Sequence, residues 1–228
     1  MPLAINSTAP DFTADTTEGR IRFHEFIGDA WCVLFSHPKD FTPVCTTELG
    51  VMARMKPEFD RRGVKLIGLS IDPVEAHERW VKDIETATGS APNYPLIGDT
   101  DLSIAKKFDM LPADAGDSAA DRSAADNAAA RTVFVIGPDK KIKLTISYPM
   151  TTGRDFGEVL RAIDSLQLTA RHQLATPADW RPGEDLVIAT SVSDEEARRR
   201  YPKGWKSPLP YLRLVEYPQT NGTKLENI

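Results

Sequence analysis

The chain has 228 residues, 41% hydrophobic and 27% charged, which is enough for one sizeable packed domain plus an appendage. With 28 basic against 33 acidic residues the net charge is −5, so there is no broad basic face for phosphates, and nucleic acid is not an expected partner. The longest apolar runs, such as Trp31–Phe35, fall far short of the roughly 20 residues that cross a bilayer, and the opening MPLAINSTAPDF has neither a basic start nor an apolar core. No membrane partner and no secretion signal are expected, and the expected location is cytoplasmic.

In chain order, AWCVLFS (30–36) and VKLIGLSI (64–71) are short apolar runs rich in β-branched residues, and they read as buried parallel strands. Between them, TPVCTTELGVMARMKPEFDRRG carries apolar residues at helical spacing and stops at Gly63. DPVEAHERWVKDIETATG, opening on Asp-Pro and closing at Gly89, predicts a second helix. Residues 113–130 hold nine alanines and four aspartates with no large apolar side chain, which predicts a solvated loop or frayed helix leading into Arg131. RTVFVI and KIKLTISY flank Gly137-Pro138-Asp139-Lys140, a turn signal that predicts an antiparallel hairpin, and GRDFGEVLRAIDSLQL returns to helical periodicity. The expected fold is α/β, a mixed sheet flanked by helices over residues 1–166. Residues 167–228 are proline-rich with two strand-like pieces and one charged helix, too little for a core of their own. They read as an extended C-terminal arm that packs on the domain or on a second subunit.

Of the two cysteines, Cys32 and Cys45, neither has the partner that a Cys-x-x-Cys pair or a zinc site needs, and the four histidines show no ligand spacing. No metal and no cofactor are expected. Cys32 lies inside an apolar strand and reads as a small buried hydrophobe. Cys45 sits in HPKDFTPVCT (37–46), where Thr42 is a good N-cap and Pro43 suits the first helical position. That puts Cys45 at N3, where a capping box would hold a Glu or Gln. Free backbone N–H groups and the positive end of the helix dipole favour an anion there, so a reactive thiol competes with a merely structural one.

Pro38-x-x-x-Thr42-x-x-Cys45 resembles the active-site signature of the peroxiredoxins, and FSHPKDFTPVCTTELG resembles their one-cysteine subgroup in particular. The likeness continues through PDF (10–12), LIGLSID (66–72), VFVIGPDKK (133–141), YPMTTGR (148–154) and LQLTARHQLATPADW (166–180). It implies a thioredoxin-like fold and a thiol that reduces hydrogen peroxide and alkyl hydroperoxides. By the same resemblance Cys45 is the peroxidatic cysteine, Thr42 the hydroxyl bonded to sulfur and peroxide, and Arg131 the guanidinium beside the sulfur. Pro38 shields the pocket, Glu48 and Arg154 orient Arg131, and His37 matches a histidine near the thiol. At least a homodimer is implied as well.

For any thiol, lowering the pKa from about 8.5 to about 6 raises the thiolate fraction at pH 7 roughly 30-fold. The same change weakens the nucleophile by about 10-fold. Fast peroxide chemistry therefore has to come from donors aimed at the breaking O–O bond. In two-cysteine relatives a resolving thiol stands in a Val-Cys-Pro-Ala-x-Trp stretch, and here ATPADW puts Thr176 in its place. An external thiol or other reductant is then required. Two other functions fit the same residues: a peroxide sensor read by partner proteins, and a thiol-dependent transferase of similar fold, which the Pro-x-x-x-Thr-x-x-Cys spacing disfavours.

Overall fold

The computed structural model describes residues 3–120, 122–127 and 131–217. The short apolar runs form β3 (Trp31–Ser36) and β4 (Val64–Ser70), parallel and in register from Trp31↔Val64 to Ser36↔Leu69. They sit inside a seven-stranded mixed sheet with β1 (Thr13–Thr16), β2 (Gly19–Arg22), β5 (Leu96–Gly98), β6 (Thr132–Ile136) and β7 (Ile142–Ser147), in the order β2-β1-β5-β4-β3-β6-β7. The hairpin expected at Gly137–Lys140 is β6–β7, antiparallel, with Lys140 in the left-handed region at φ 60°. Side chains alternate across the strands, so Cys32 and Leu34 of β3, Ile67 and Leu69 of β4, and Phe134 and Ile136 of β6 join one core cluster with Phe12, Phe23 and Phe108.

Helices α1 (Phe23–Ile27), α2 (Pro43–Arg61), α3 (Val74–Thr88) and α4 (Ser103–Lys107) complete the first of two compact units, Met1–Phe156. Pro57 lies inside α2 and has no N–H for the carbonyl of Ala53, and Asn93 Nδ2 donates to that carbonyl at 3.3 Å. Gly50 permits α2 to approach α3: a Cβ there would stand 2.2 Å from Thr88 Oγ1.

Topology brings three strand ends together. β6 is antiparallel to β3 (Phe35↔Val133) and β7 antiparallel to β6 (Thr132↔Ser147), so the end of β3, the start of β6 and the end of β7 lie side by side at the same end of the strands. The chain leaves β3 into His37–Thr42 and α2, while Arg131 immediately precedes β6 and Arg154 follows β7.

The second unit, Gly157–Ile228, takes α5 (Phe156–Arg171) from its second residue onward, a helix that the sequence reading kept with the first domain. It adds α6 (Asp194–Arg200) and the strands β8 (Leu174–Ala175), β9 (Leu186–Ile188), β10 (Lys206–Leu209) and β11 (Leu212–Val215), paired in the order β10-β11-β9-β8. The reading of this region as lacking a core is corrected. Leu168, Leu174, Trp180, Leu186, Ile188, Val192 and Val215 form one, and the buried Arg213 donates to the Ala189 and Val192 carbonyls and to Asp194. Within 113–127 the largely exposed loop is fixed at two places: Ala115 and Ala119 pack on the main core cluster, and a 3-10 turn runs over Ala125–Asn127. Residues 121 and 128–130 lie outside the described residues.

Candidate active site

Thr42 occupies the N-cap of α2 with extended backbone (φ −114°, ψ 144°), Pro43 follows, and Cys45 stands at N3 as the sequence predicts. The Thr42 side chain does not cap, however. Its hydroxyl donates to the Lys39 carbonyl at 3.0 Å, which leaves the oxygen lone pairs as acceptors and the first-turn N–H groups of Val44 and Cys45 without a side-chain partner. Phe41, next to Thr42, is held at φ 53°, a strained conformation for an aromatic residue that persists only where its surroundings fix it.

Cys45 is 1% exposed, and Arg131 Nη2 donates to its Sγ at 3.3 Å. Arg131 Nη1 lies 2.8 Å from Glu48 Oε2 without the alignment of a hydrogen bond, and among the described residues neither Nη1 nor Nε has a hydrogen-bond acceptor. Nε–H and Nη2–H share one edge of the guanidinium, so a free donor faces the same side as the sulfur. Glu48, one turn along α2 from Cys45, is gripped by Arg154. Nε and the backbone N–H of Arg154 donate to Oε1 at 3.1 and 2.8 Å, and Nη2 donates to Oε2 at 2.8 Å. Arg154 Nη1 adds the Ser36 carbonyl at 2.7 Å, and its guanidinium lies over the rings of Phe35 and Phe156. Burial lowers the Arg154 pKa against the opposing pull of Glu48, yet arginine stays charged at neutral pH. Two buried cations thus share one carboxylate, and the positive charge left over is balanced by any anion formed at the sulfur or on an oxygen beside it.

Pro38 and His37 are buried in the same loop. Where the sequence showed no ligand spacing, the fold gathers His37, Asp40 and His77, whose candidate ligand atoms all lie within 4.8 Å of one another. His37 Nε2 is 2.7 Å from Asp40 Oδ1, and His77 Nδ1 is 2.6 Å from Asp40 Oδ2. Two ligands of a zinc ion bound at ~2.0–2.1 Å would stand roughly 3.3 Å apart, so these shorter separations are those of shared protons. His77 Nε2 faces the Ile97 carbonyl at 3.1 Å, so beside an ionised Asp40 both ring nitrogens face acceptors, which favours the imidazolium form. Burial lowers the His77 pKa, but Asp40 outweighs it and the net shift is upward. Burial likewise raises Asp40, but the bonds from His37 and His77 prevail and hold it at about 2. His37 Nε2 shares a hydrogen bond with Asp40, and its buried Nδ1 has no partner among the described residues.

The family model described as the AhpC/TSA family matches residues 5–145, and the model for the C-terminal domain of 1-Cys peroxiredoxin matches residues 165–204. The chain belongs to the 1-Cys peroxiredoxins. Peroxiredoxin-6 of Gallus gallus is 49% identical over 228 aligned residues, covering 95% of this chain and 99% of the relative. Among solved structures, a yeast mitochondrial 1-Cys peroxiredoxin, studied for thiol resolution via the glutathione and thioredoxin systems, is 48% identical with a TM-score of 0.89 and coverage of 94% and 100%. A Cys→Ser mutant of the peroxiredoxin 6 of Arenicola marina is 44% identical with a TM-score of 0.84 and coverage of 96% and 100%. The chain has the thioredoxin-like fold of these peroxiredoxins and is, like them, a thiol-dependent peroxidase.

In this peroxiredoxin the fold brings Cys45, Arg131, Glu48 and Arg154 into one connected group, with Thr42 and Pro38 on the adjoining loop. His37 joins Asp40 and His77 instead. Cys32 is fully buried in β3, and burial pushes its thiol pKa far up. Thr176 shares a hydrogen bond with Ser165 at 2.7 Å. Sequence reasoning missed Asp40 and His77. Asp40 stands three residues from His37, but His77 is buried on α3 and no local pattern connects it to that loop.

Proposed function

We propose that Cys45 is the peroxidatic sulfur and that Arg131, Thr42 and the first-turn N–H groups of α2 bind the two oxygens of a hydroperoxide. The observation that carries this is the donor contact to sulfur, Arg131 Nη2 at 3.3 Å, made by a guanidinium whose buried Nε has no acceptor among the described residues. A bound peroxide would accept from those donors, and its O–H would donate to the Thr42 oxygen, whose own proton is turned to Lys39. The sulfur lone pair attacks one peroxide oxygen in line, the S–O bond forms and the O–O bond breaks. The leaving oxygen takes a proton to become water or alcohol, and sulfur becomes a sulfenic acid. Charge that grows on the leaving oxygen falls beside two arginines already in place, where a positioned donor is worth roughly 3–4 kcal/mol. Glu48 and Arg154 fix the angle of Arg131, Pro38 shields the sulfur, and His37 braces the loop through Asp40.

With Cys32 buried and Thr176 in place of a resolving thiol, the sulfenic acid is returned to thiol by a donor from solution. The yeast relative, resolved via glutathione and thioredoxin systems, makes those thiols the donors to try first. We place the enzyme in the cytoplasm, a reducing setting that keeps both cysteines as thiols. We read it as a homodimer, in line with the family resemblance and with Leu209 and Tyr211, 44% and 69% exposed at the β10–β11 hairpin. The test is hydrogen peroxide consumption with dithiothreitol as donor. Wild type and Cys32→Ser should consume many equivalents per subunit and Cys45→Ser none. A wild type that stops after one equivalent despite excess dithiothreitol would favour the sensor function.

A further inference from the structure

The alanine- and aspartate-rich segment before β6 is stitched to the loop that presents Cys45. Arg122 spends its guanidinium inside the segment, on Asn127 Oδ1 at 2.8 Å and on the carbonyls of Ala115 and Asp126 at 2.9 and 2.7 Å. Asn127 is fully buried, and its Nδ2 donates to the Ser123 and Pro38 carbonyls, both at 3.1 Å. Lys39, the residue after Pro38, sends Nζ to the Arg122 carbonyl at 2.6 Å, and its own carbonyl accepts the Thr42 hydroxyl. Two ties therefore land on consecutive residues, Pro38 and Lys39, and the second continues to Thr42. Asn127 also precedes Arg131 by four residues in the chain.

The two halves of the catalytic cycle ask different things of that arrangement. In the first, a hydroperoxide with a two-oxygen head is reduced while Cys45 is oxidised to sulfenic acid, and the geometry among Cys45, Thr42 and Arg131 has to be held closely. In the second, an external thiol attacks the sulfenic sulfur and water leaves. A second thiol then cleaves the mixed disulfide, giving Cys45 thiol and an external disulfide. With Cys45 only 1% exposed, a thiol that carries a peptide-sized body reaches sulfur only when the covering loop moves.

We propose that Asn127 is a positioning residue of the peroxidase, holding the Pro38–Thr42 loop in place through the Pro38 carbonyl and releasing it when the external thiol enters. The proposal rests on Cys45 being the peroxidatic sulfur. Removing the tie should then slow oxidation and speed reduction, whereas a merely structural role would lower both.

The experiment measures the two half-reactions separately by single-turnover kinetics, with hydrogen peroxide as oxidant and glutathione as reductant. Asn127→Ala should slow oxidation about 10-fold. Loss of one hydrogen bond should raise the open population, and with it the reduction rate, by about 3- to 10-fold. Asn127→Asp keeps an acceptor for Arg122 and removes the donors to Pro38 and Ser123, and it should show the same split. If neither Asn127 variant folds, Lys39→Met removes the second tie from a partly exposed side chain and should show a smaller split of the same sign. Half-reactions that fall together, or that both stay at the wild-type rate, would overturn the proposal. Cys45→Ser separates this from the site itself: a wild type that Cys45→Ser fails to silence would sink the site reading instead.

Discussion

Cys32 and Cys45 are equally hidden, at 0% and 1% exposure, yet their surroundings differ in kind. Cys32 lies mid-strand among Ile27, Leu34 and Ile136, where burial raises its pKa far beyond the modest downward pull of Lys65 and Lys140. Cys45 has the same lack of solvent but stands at the start of a helix with a guanidinium on its sulfur. Burial alone therefore does not decide whether a thiol is inert. What decides it is whether the groups that replace water are hydrocarbon or fixed donors, because donors in a dry site act at full strength on charge as it develops.

The sharpest way to break that contrast is to remove the donor. Arg131→Ala should lower the rate constant of Cys45 with hydrogen peroxide by roughly 10²- to 10³-fold, since a buried, pre-aimed donor is lost. The rate with iodoacetamide, which needs a nucleophile but has no O–O bond to break, should fall by less than ~10-fold. Equal losses in both rates would mean that Arg131 only maintains the nucleophile, and the donor argument would fail. A comparable effect, read in stability, is expected one residue further out. Glu48→Gln leaves Arg131 and Arg154 buried without their shared carboxylate, which should cost about 3–5 kcal/mol of stability by thermal or denaturant unfolding. The same substitution in a Cys45→Ser background should cost more, because no anion can then form at the sulfur to offset the excess positive charge. Additive losses in that double-mutant cycle would show that sulfur and arginines are electrostatically independent.

The parts of this site that follow one another in the chain were legible in the sequence. Thr42, Pro43 and Cys45 announce a helix start, and runs such as VKLIGLSI announce the strands that position it. Arg131, Glu48 and Arg154 were legible only through family resemblance, because their meeting depends on the antiparallel return of β6 and β7 to the end of β3, and nothing local specifies that. Residues 113–120 and 122–127 form the largely exposed loop that their composition suggests, but the polar stitching by Arg122 and Asn127 and the packing of two alanines on the core are a signal that composition does not carry. The second unit was underestimated for a related reason: Trp180 and scattered single aliphatic residues build its core without any periodic run. His77 was hidden on a helix whose pattern is satisfied without it.

His77 supplies the finest test of the contrast, since it acts on the loop that leads to Cys45 and is separate from the apolar packing around Cys32. Its ring faces Asp40 and the Ile97 carbonyl, with Asp72 as a further nearby charge and His37 on the far side of Asp40. Because the folded state raises the His77 pKa above 6.5, its contribution to stability is present in full below about pH 6.5 and is lost as the pH rises through the folded value. Asp40, held at about 2, works in the opposite sense: its contribution is present above about pH 4 and is lost as the pH falls toward 2. The stability difference between wild type and His77→Gln, measured by denaturant unfolding, should therefore be largest near pH 5–6, at about 1–3 kcal/mol for hydrogen bonds to charged partners, and should shrink on the alkaline side. A difference that stays constant from pH 5 to pH 9 would mean that His77 serves by shape alone. A difference that fades with rising pH would mean that the loop is clamped by a buried imidazolium, so that fixed charges organise the Cys45 side of β3 as hydrocarbon organises the Cys32 side.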